Sequence, residues 1–360
     1  MRATTRQRLS EMVRRLGLRH ALRTAAAAVA TELVVTALAL PQGYWAVITA
    51  VIVMQANLGG SIWASWTRLA GTAVGATIGA LAAHFLGQTT LSVGLAVFVT
   101  LAICTAIRRL RESTRVGGIT TVIVILAGHP GVSAATLGFD RFLEISVGIV
   151  TALAVSILVL PSRASKALDY GLATIFEDLA AFFALVVEGR LHEDYVARKA
   201  FSLKDRILRT LARCRQLRHD AVMEGRGGGS EGTMRAMLLF RCERLFEHIL
   251  AMDHVASESQ GQGLHRHLPQ ELTDLERAVA TVLTGLAGHM RGKAPLPDLT
   301  ELNTAVARAR EKLATMRRDR APAAYDLSEV MHFYSFMHGM LSCAADAAEL
   351  ARRTHSFGDA

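Results

Sequence analysis

The first half of the chain carries long apolar stretches that are separated by short polar connections. A transmembrane helix needs about 20 apolar residues to cross a hydrocarbon core of about 30 Å. Six stretches are candidates, two of them short: Ala21–Leu40, Tyr44–Asn57, Leu69–Leu86, Leu91–Ile107, Val116–Gly128 and Phe139–Leu160. The pattern therefore predicts an all-α, polytopic membrane domain with six transmembrane helices over residues 1–163.

The second half of the chain has a different pattern. Its apolar residues recur at helical spacing, as in Leu203, Ile207 and Leu211, and stretches containing Gly or Pro interrupt them. The interruptions lie at Gly225–Gly232, Gly261–Pro269, Lys293–Pro297 and Arg320–Pro322. We expect an antiparallel bundle of five or six helices over residues 164–360.

The charges divide at the same boundary. Residues 1–163 contain 14 Arg, no Lys and 5 acidic residues, whereas residues 164–360 contain 26 residues of each sign. The whole net charge of +9 therefore lies in the apolar half, which favours a lipid bilayer as partner and argues against nucleic acid. Basic residues lie at the N-terminus, in the second and fourth connections and after the sixth segment, and the other three connections have none. The positive-inside rule then predicts a multi-pass protein of the cell inner (plasma) membrane, with both termini and the helical bundle in the cytoplasm.

The two short apolar segments resemble each other. Positions 48–60 and 119–131 share seven identities in 13 positions at an offset of 71, and Arg68 with Gly75 parallels Arg141 with Gly148 at an offset of 73. Each unit has three segments, so the two units cross the membrane in opposite directions and form a 3+3 inverted repeat. The short segments occupy matched positions, and such segments end inside the membrane, where transporters bind their substrates.

Several polar residues within or beside these segments are candidates for a transport pathway. Glu32 lies near the middle of the first span, where a carboxylate is costly, so we expect it to face the interior of the bundle. It is either a proton-coupling or gating acid, or a residue that hydrogen-bonds neighbouring helices. The other candidates could line a polar path, although threonines often bond to their own helix. They are Thr49, Gln55, Asn57, Thr120 and His129.

Arg68 begins the third predicted segment and Arg141 begins the sixth. Glu144 lies one helical turn after Arg141, so these two residues form either a structural ion pair or part of an anion-binding site. Arg68 has no such neighbour and binds either anionic lipid at the inner leaflet or an anionic substrate. Glycines also recur every four residues along the third segment, which predicts close helix packing. These helix-packing positions are Gly71, Gly75 and Gly79.

These residues together resemble the fusaric acid resistance and aromatic acid exporter superfamily. The resemblance covers residues 20–163 and is carried by Tyr44-Trp45-Ala46, Ile48-Thr49, Val51-Ile52-Val53-Met54-Gln55, Arg68-Leu69-Ala70-Gly71-Thr72 with Gly75 and Gly79, and Arg141-Phe142-Leu143-Glu144 through Gly148 to Pro161. It implies export of aromatic carboxylates or other weak acids driven by the proton gradient, in some members with a periplasmic adaptor protein. Long bacterial members carry two membrane units whereas this chain carries one, which implies a homodimer.

We therefore expect a secondary transporter that exports organic anions, with Glu32 as the coupling residue. Two alternatives remain open, namely an anion channel on the same scaffold and a membrane-anchored scaffold that recruits partners. An enzyme is not expected, because no nucleophile and base can be placed together. A glycine-rich stretch lies at Gly225-Arg226-Gly227-Gly228-Gly229-Ser230, but it lacks the Lys and the preceding strand of a phosphate-binding loop, so we predict no cofactor. The histidines lack the spacing of metal ligands, so we also predict no metal.

Overall fold

The computed structural model describes residues 2–127, 133–159, 162–192, 197–225, 228–258 and 263–358. In these ranges the secondary structure consists of helices, and no strand occurs. The chain divides into two compact units, residues 1–164 and residues 165–360.

The first unit contains six α-helices. They are α1 (Arg2–Ala37), α2 (Tyr44–Val53), α3 (Leu58–Leu86), α4 (Thr90–Ala106), α5 (Thr114–Leu126) and α6 (Ala134–Leu158), with a short 3₁₀ helix at Arg108–Ser113. Each predicted apolar segment falls on one of these helices. However, α3 begins at Leu58, well before the predicted Leu69, because Asn57 caps its N-terminus by accepting the Gly60 N–H at 2.7 Å.

Three helices of the described part of the chain are long and apolar enough to cross a membrane. They are Leu58–Leu86, Ala134–Leu158 and Ala164–Leu191, while Tyr44–Val53 and Thr90–Ala106 are apolar but shorter. The protein thus has the all-α architecture and the apolar helices of a membrane protein, and six spans remain a prediction.

Helices α3 and α6 lie at the centre of the first unit and pack against each other. Helix α5 packs on α3, and α2 packs on α6. Outside them, α1 contacts α2 and α6, and α4 contacts α5 and α3. Each central helix is therefore covered by one short helix and one outer helix.

Glycines allow the short helices to approach the central ones at backbone distance. A Cβ atom added to Gly75 on α3 would lie 2.3 Å from the Gly117 carbonyl oxygen of α5. A Cβ atom added to Gly148 on α6 would lie 2.3 Å from the Ala46 carbonyl oxygen of α2. Gly71 and Gly79 face the same side of α3, toward the 3₁₀ helix and α5. Any side chain at these positions would separate the helices.

The second unit is built from α7 (Ala164–His192), α8 (Ala197–Met223), α9 (Gly229–Glu258), α10 (Pro269–Met290), α11 (Thr300–Arg318) and α12 (Leu327–Gly358), with two short 3₁₀ helices. Sequence analysis did not single out α7 as a possible span. Many of its apolar side chains, among them Leu172, Phe176 and Phe183, are fully buried. Packing within the helical unit therefore accounts for the apolar character of α7.

We expect Gly148→Ala to lower the free energy of unfolding by about 1–3 kcal/mol, because the added methyl group meets the α2 backbone rather than a movable side chain. Gly94→Ala on α4 is the matched control, since nothing lies within 4 Å of its added Cβ. Alanine also favours helix by about 1 kcal/mol over glycine, so the control should be neutral or stabilising. Thermal unfolding of the full-length protein in detergent compares the stability of each variant with that of the wild type. A Gly148→Ala protein as stable as the wild type would contradict this packing.

All four cysteines are free and buried. Burial raises the pKa of the Cys214 thiol to about 12 and holds the pKa of the Cys242 and Cys343 thiols well above the ordinary value. Because the thiolate is the reactive form, the folded protein should react very slowly with a disulfide reagent at neutral pH, whereas the denatured protein should titrate all four thiols. Rapid modification of Cys214 in the folded protein would show that this core is open.

Candidate functional site

A narrow cleft lies where the two short helices meet the two central ones. Its cavity volume is about 20 Å³, which leaves room for little more than one water molecule. Two arginines stand among mostly apolar walls, and the lining residues are Trp45, Arg68, Val116, Ile119, Thr120, Ile123, Arg141 and Ile145. The lining thus combines apolar surface with a few polar groups, in a space too small for a ligand larger than water.

Arg68 enters the cleft from α3. It lies ten residues after the start of α3, which is about 15 Å along the helix axis. Its Nε donates a hydrogen bond to the Thr49 hydroxyl on α2 at 3.1 Å. Across the described residues, no carboxylate forms an ion pair with Arg68. The positive charge of Arg68 is therefore held in place by a neutral partner.

Arg141 enters the same cleft from α6 and is only 3% exposed. Its Nη1 donates to Glu144 Oε2 at 2.9 Å, and its guanidinium carbon lies 5.0 Å from the centre of the Trp45 ring. Glu144 is also buried, and its Oε1 accepts the backbone N–H of Gln42 at 3.1 Å. The ion pair thus joins α6 to the connection between α1 and α2.

Two buried donors in this cleft have no acceptor. Arg141 Nε and Trp45 Nε1 are both buried and make no hydrogen bond within the described part of the chain. A buried donor without an acceptor costs about 1–3 kcal/mol, so such groups in a native protein call for an explanation. These two donors are therefore candidates for an acceptor that comes from outside the protein.

The cleft brings together some of the residues expected from sequence and leaves out others. Thr120 lines it beside Arg68 and Arg141, and Thr49 and Glu144 join it through their arginine partners. Gln55 is exposed beyond the end of α2, where its side-chain amide donates to the Ile52 carbonyl. Asn57 serves as the cap of α3. His129 lies outside the described residues.

Glu32 does not face the interior of its own bundle, contrary to our expectation. The buried positions of α1 recur every four residues, at Ala27, Thr31 and Val35, and Glu32 lies on a different face with an exposed side chain. One residue corresponds to about 100° of helix rotation, so Thr31 and Glu32 point in different directions. The apolar run of α1 does not indicate which of these faces is covered.

Sequence reasoning missed the roles of Trp45 and Arg23. Trp45 was named only for the family resemblance, and the structure packs its ring against Arg141. Arg23 was counted among the basic N-terminal residues, yet it is 2% exposed and donates to Ser156 Oγ at 2.6 Å and to the Ala56 carbonyl oxygen at 3.2 Å. It thereby joins α1 to α6 and to the connection between α2 and α3. Arg23 shares a four-residue register with the buried Ala27, Thr31 and Val35, and the structure, not the sequence, shows that this register is the covered one.

The chain is similar in sequence to two curated bacterial proteins. The chain is 30% identical over 132 residues to the UPF0421 protein SERP1427 of Staphylococcus epidermidis, a match that covers 36% of this chain and 39% of that protein. It is 27% identical over 168 residues to the UPF0421 protein BH2644 of Halalkalibacterium halodurans, a match that covers 47% of this chain and 46% of that protein. The chain therefore matches less than half the length of either curated relative.

The model of the fusaric acid resistance protein family matches residues 17–358, which is nearly the whole chain. This match includes α2 to α6 and the second part of α1 in the first unit, and nearly all of the second unit. The chain belongs to the fusaric acid resistance protein family, and it has the apolar helices of a membrane protein.

Proposed function

We propose that this protein is a secondary transporter of the inner membrane that exports organic anions such as aromatic carboxylates. The observation that carries the proposal is the meeting of Arg68 and Arg141 in one cleft. Ionisable residues within membrane helices are costly, and they mark substrate and ion pathways. Two guanidinium groups beside buried donors without acceptors form a site suited to a carboxylate.

The proposed 3+3 inverted repeat is supported by pairs of residues in the cleft. Thr49 and Thr120 lie 71 positions apart on the two short helices, and Arg68 and Arg141 lie 73 positions apart on the two central helices. All four residues lie in the cleft or bond to a side chain that lines it. Equivalent positions of the two units therefore meet at one place.

The glycine contacts follow the same two offsets. Gly148 lies 73 positions after Gly75, and their carbonyl partners, Ala46 and Gly117, lie 71 positions apart. In each pair a Cβ atom added to the glycine would lie 2.3 Å from the carbonyl oxygen of its partner. Repeat units that are packed in equivalent ways can rock against each other around a site between them, as in other transporters with inverted repeats. The small cavity corresponds to a closed state, which must open before a substrate enters.

In this proposal both termini and the second unit face the cytoplasm, and the proton gradient drives export. The basic connections would attract anions to the inner mouth of the pathway.

The proposed homodimer gives Glu32 an environment other than lipid. Its neighbour Leu33 is 67% exposed, so a carboxylate lies on an otherwise apolar surface of α1. A charged residue in contact with the bilayer costs several kcal/mol, and a second copy that covers α1 would remove this cost.

Cysteine cross-linking tests this interface in the membrane. A Leu33→Cys variant should form disulfide-linked dimers on mild oxidation, because the four native thiols are buried and do not compete. A variant that stays monomeric while its new thiol reacts with a soluble or lipid-permeable reagent would contradict an interface at α1.

Transport by purified protein in liposomes tests the proposed function. Arg68→Gln and Arg141→Gln should each reduce benzoate efflux about tenfold or more, because each removes a charge-assisted hydrogen bond worth about 1.5–3 kcal/mol. Arg218→Gln is the matched control, since Arg218 is exposed on α8 of the second unit and does not line the cleft, and it should retain most of the flux.

The wild-type protein separates the three functions considered. Efflux that requires a pH gradient supports the proton-coupled exporter, and efflux that follows voltage without any dependence on pH indicates a channel. The absence of flux for every anion would indicate a scaffold. Full flux in both arginine variants would show that the anion does not pass through this cleft.

A further inference from the structure

The charges at the cleft do not balance. Two cations line it, Arg68 and Arg141, and one carboxylate, Glu144, pairs with the second of them. Asp140 precedes Arg141 on the same helix, but it is half-buried and does not line the cleft. Glu144 is the one buried carboxylate among the described side chains of the first unit. The cleft together with its paired carboxylate therefore carries one net positive charge.

This imbalance is a difference between the two repeat units. Arg68 and Arg141 are 73 positions apart, and the residue 73 positions before Glu144 is Gly71. A Cβ atom at Gly71 would lie 2.7 Å from the Ser113 carbonyl oxygen, so the packing there leaves no space for a carboxylate side chain. One arginine is consequently neutralised within the protein, and its repeat partner is not.

We propose that the cleft binds a carboxylate that bears a single negative charge, and that Glu144 sets this preference by occupying the place of a second negative charge. The proposal rests on the anion-transport function proposed above and specifies its substrate class. One carboxylate group would balance the net charge and supply an acceptor for the unpartnered Arg141 Nε and Trp45 Nε1. A dicarboxylate would bring its second charge to an arginine that Glu144 already neutralises.

The walls of the cleft define the rest of the substrate. Four aliphatic side chains line it, those of Val116, Ile119, Ile123 and Ile145. None of them can hydrogen-bond a second polar group of a ligand. An apolar body attached to one carboxylate therefore fits the lining, once the helices separate to admit it.

Binding of two matched probes tests this selectivity. At neutral pH benzoate carries one negative charge and terephthalate carries two on the same ring. Apparent affinities follow from the rise in unfolding temperature of the purified full-length protein with ligand concentration. We expect the wild-type protein to bind benzoate more tightly than terephthalate. In Glu144→Gln the ratio of terephthalate to benzoate affinity should rise about tenfold or more, because a unit charge close to the site is removed.

Two further variants are controls, one for the presence of a carboxylate at position 144 and one for the total charge of the first unit. Glu144→Asp keeps the carboxylate and should keep the wild-type preference. Glu112→Gln removes one negative charge from the same unit at an exposed position, where the glutamine can still accept the Trp63 indole N–H, and it should leave the affinity ratio unchanged.

Each outcome bears on one proposal. The inference is overturned if the wild-type protein binds terephthalate more tightly than benzoate. It is also overturned if Glu144→Gln folds and keeps the wild-type ratio of the two affinities. If neither probe binds the wild-type protein and no anion is transported, the proposed function itself fails.

Discussion

The first unit depends on backbone contact between its short and central helices. Gly75 of α3 meets the carbonyl of Gly117, and Gly148 of α6 meets the carbonyl of Ala46. In a bilayer the hydrophobic effect does not drive helices together, so close packing and interhelical hydrogen bonds must hold them. The two glycine contacts bring α2 and α5 against α6 and α3, and the cleft forms between these four helices.

The same packing makes buried charge tolerable. Arg68 bonds to a threonine of the facing short helix, and Arg141 pairs with Glu144 beneath the Trp45 ring. The second arrangement does not satisfy every donor, because Arg141 Nε and Trp45 Nε1 remain without acceptors. Stability alone would favour apolar residues at such positions. These two donors are therefore consistent with the proposal that the cleft binds an anion.

Much of this architecture could be predicted from the sequence. The apolar segments and the Gly- or Pro-containing breaks of the second half both correspond to helices and their ends, because apolar periodicity and helix-breaking residues act locally. The offsets of 71 and 73 identified the arginines and threonines that meet in the cleft. Helix α7 is apolar because it is buried in the second unit, and apolar content by itself does not distinguish burial in protein from burial in lipid.

The sequence by itself determined the helices, the boundary in charge between the two halves, and the pairs of residues that the proposed repeat relates, since each is a property of spacing and composition along the chain. Only the tertiary structure decided that Glu32 lies on the outer surface of α1, that Trp45 covers Arg141, and that Arg23 joins α1 to α6 and to the connection between α2 and α3. Which face of an apolar helix is covered depends on the partners that pack against it. Those partners are distant in the chain, and their arrangement is set by contacts that no local pattern encodes.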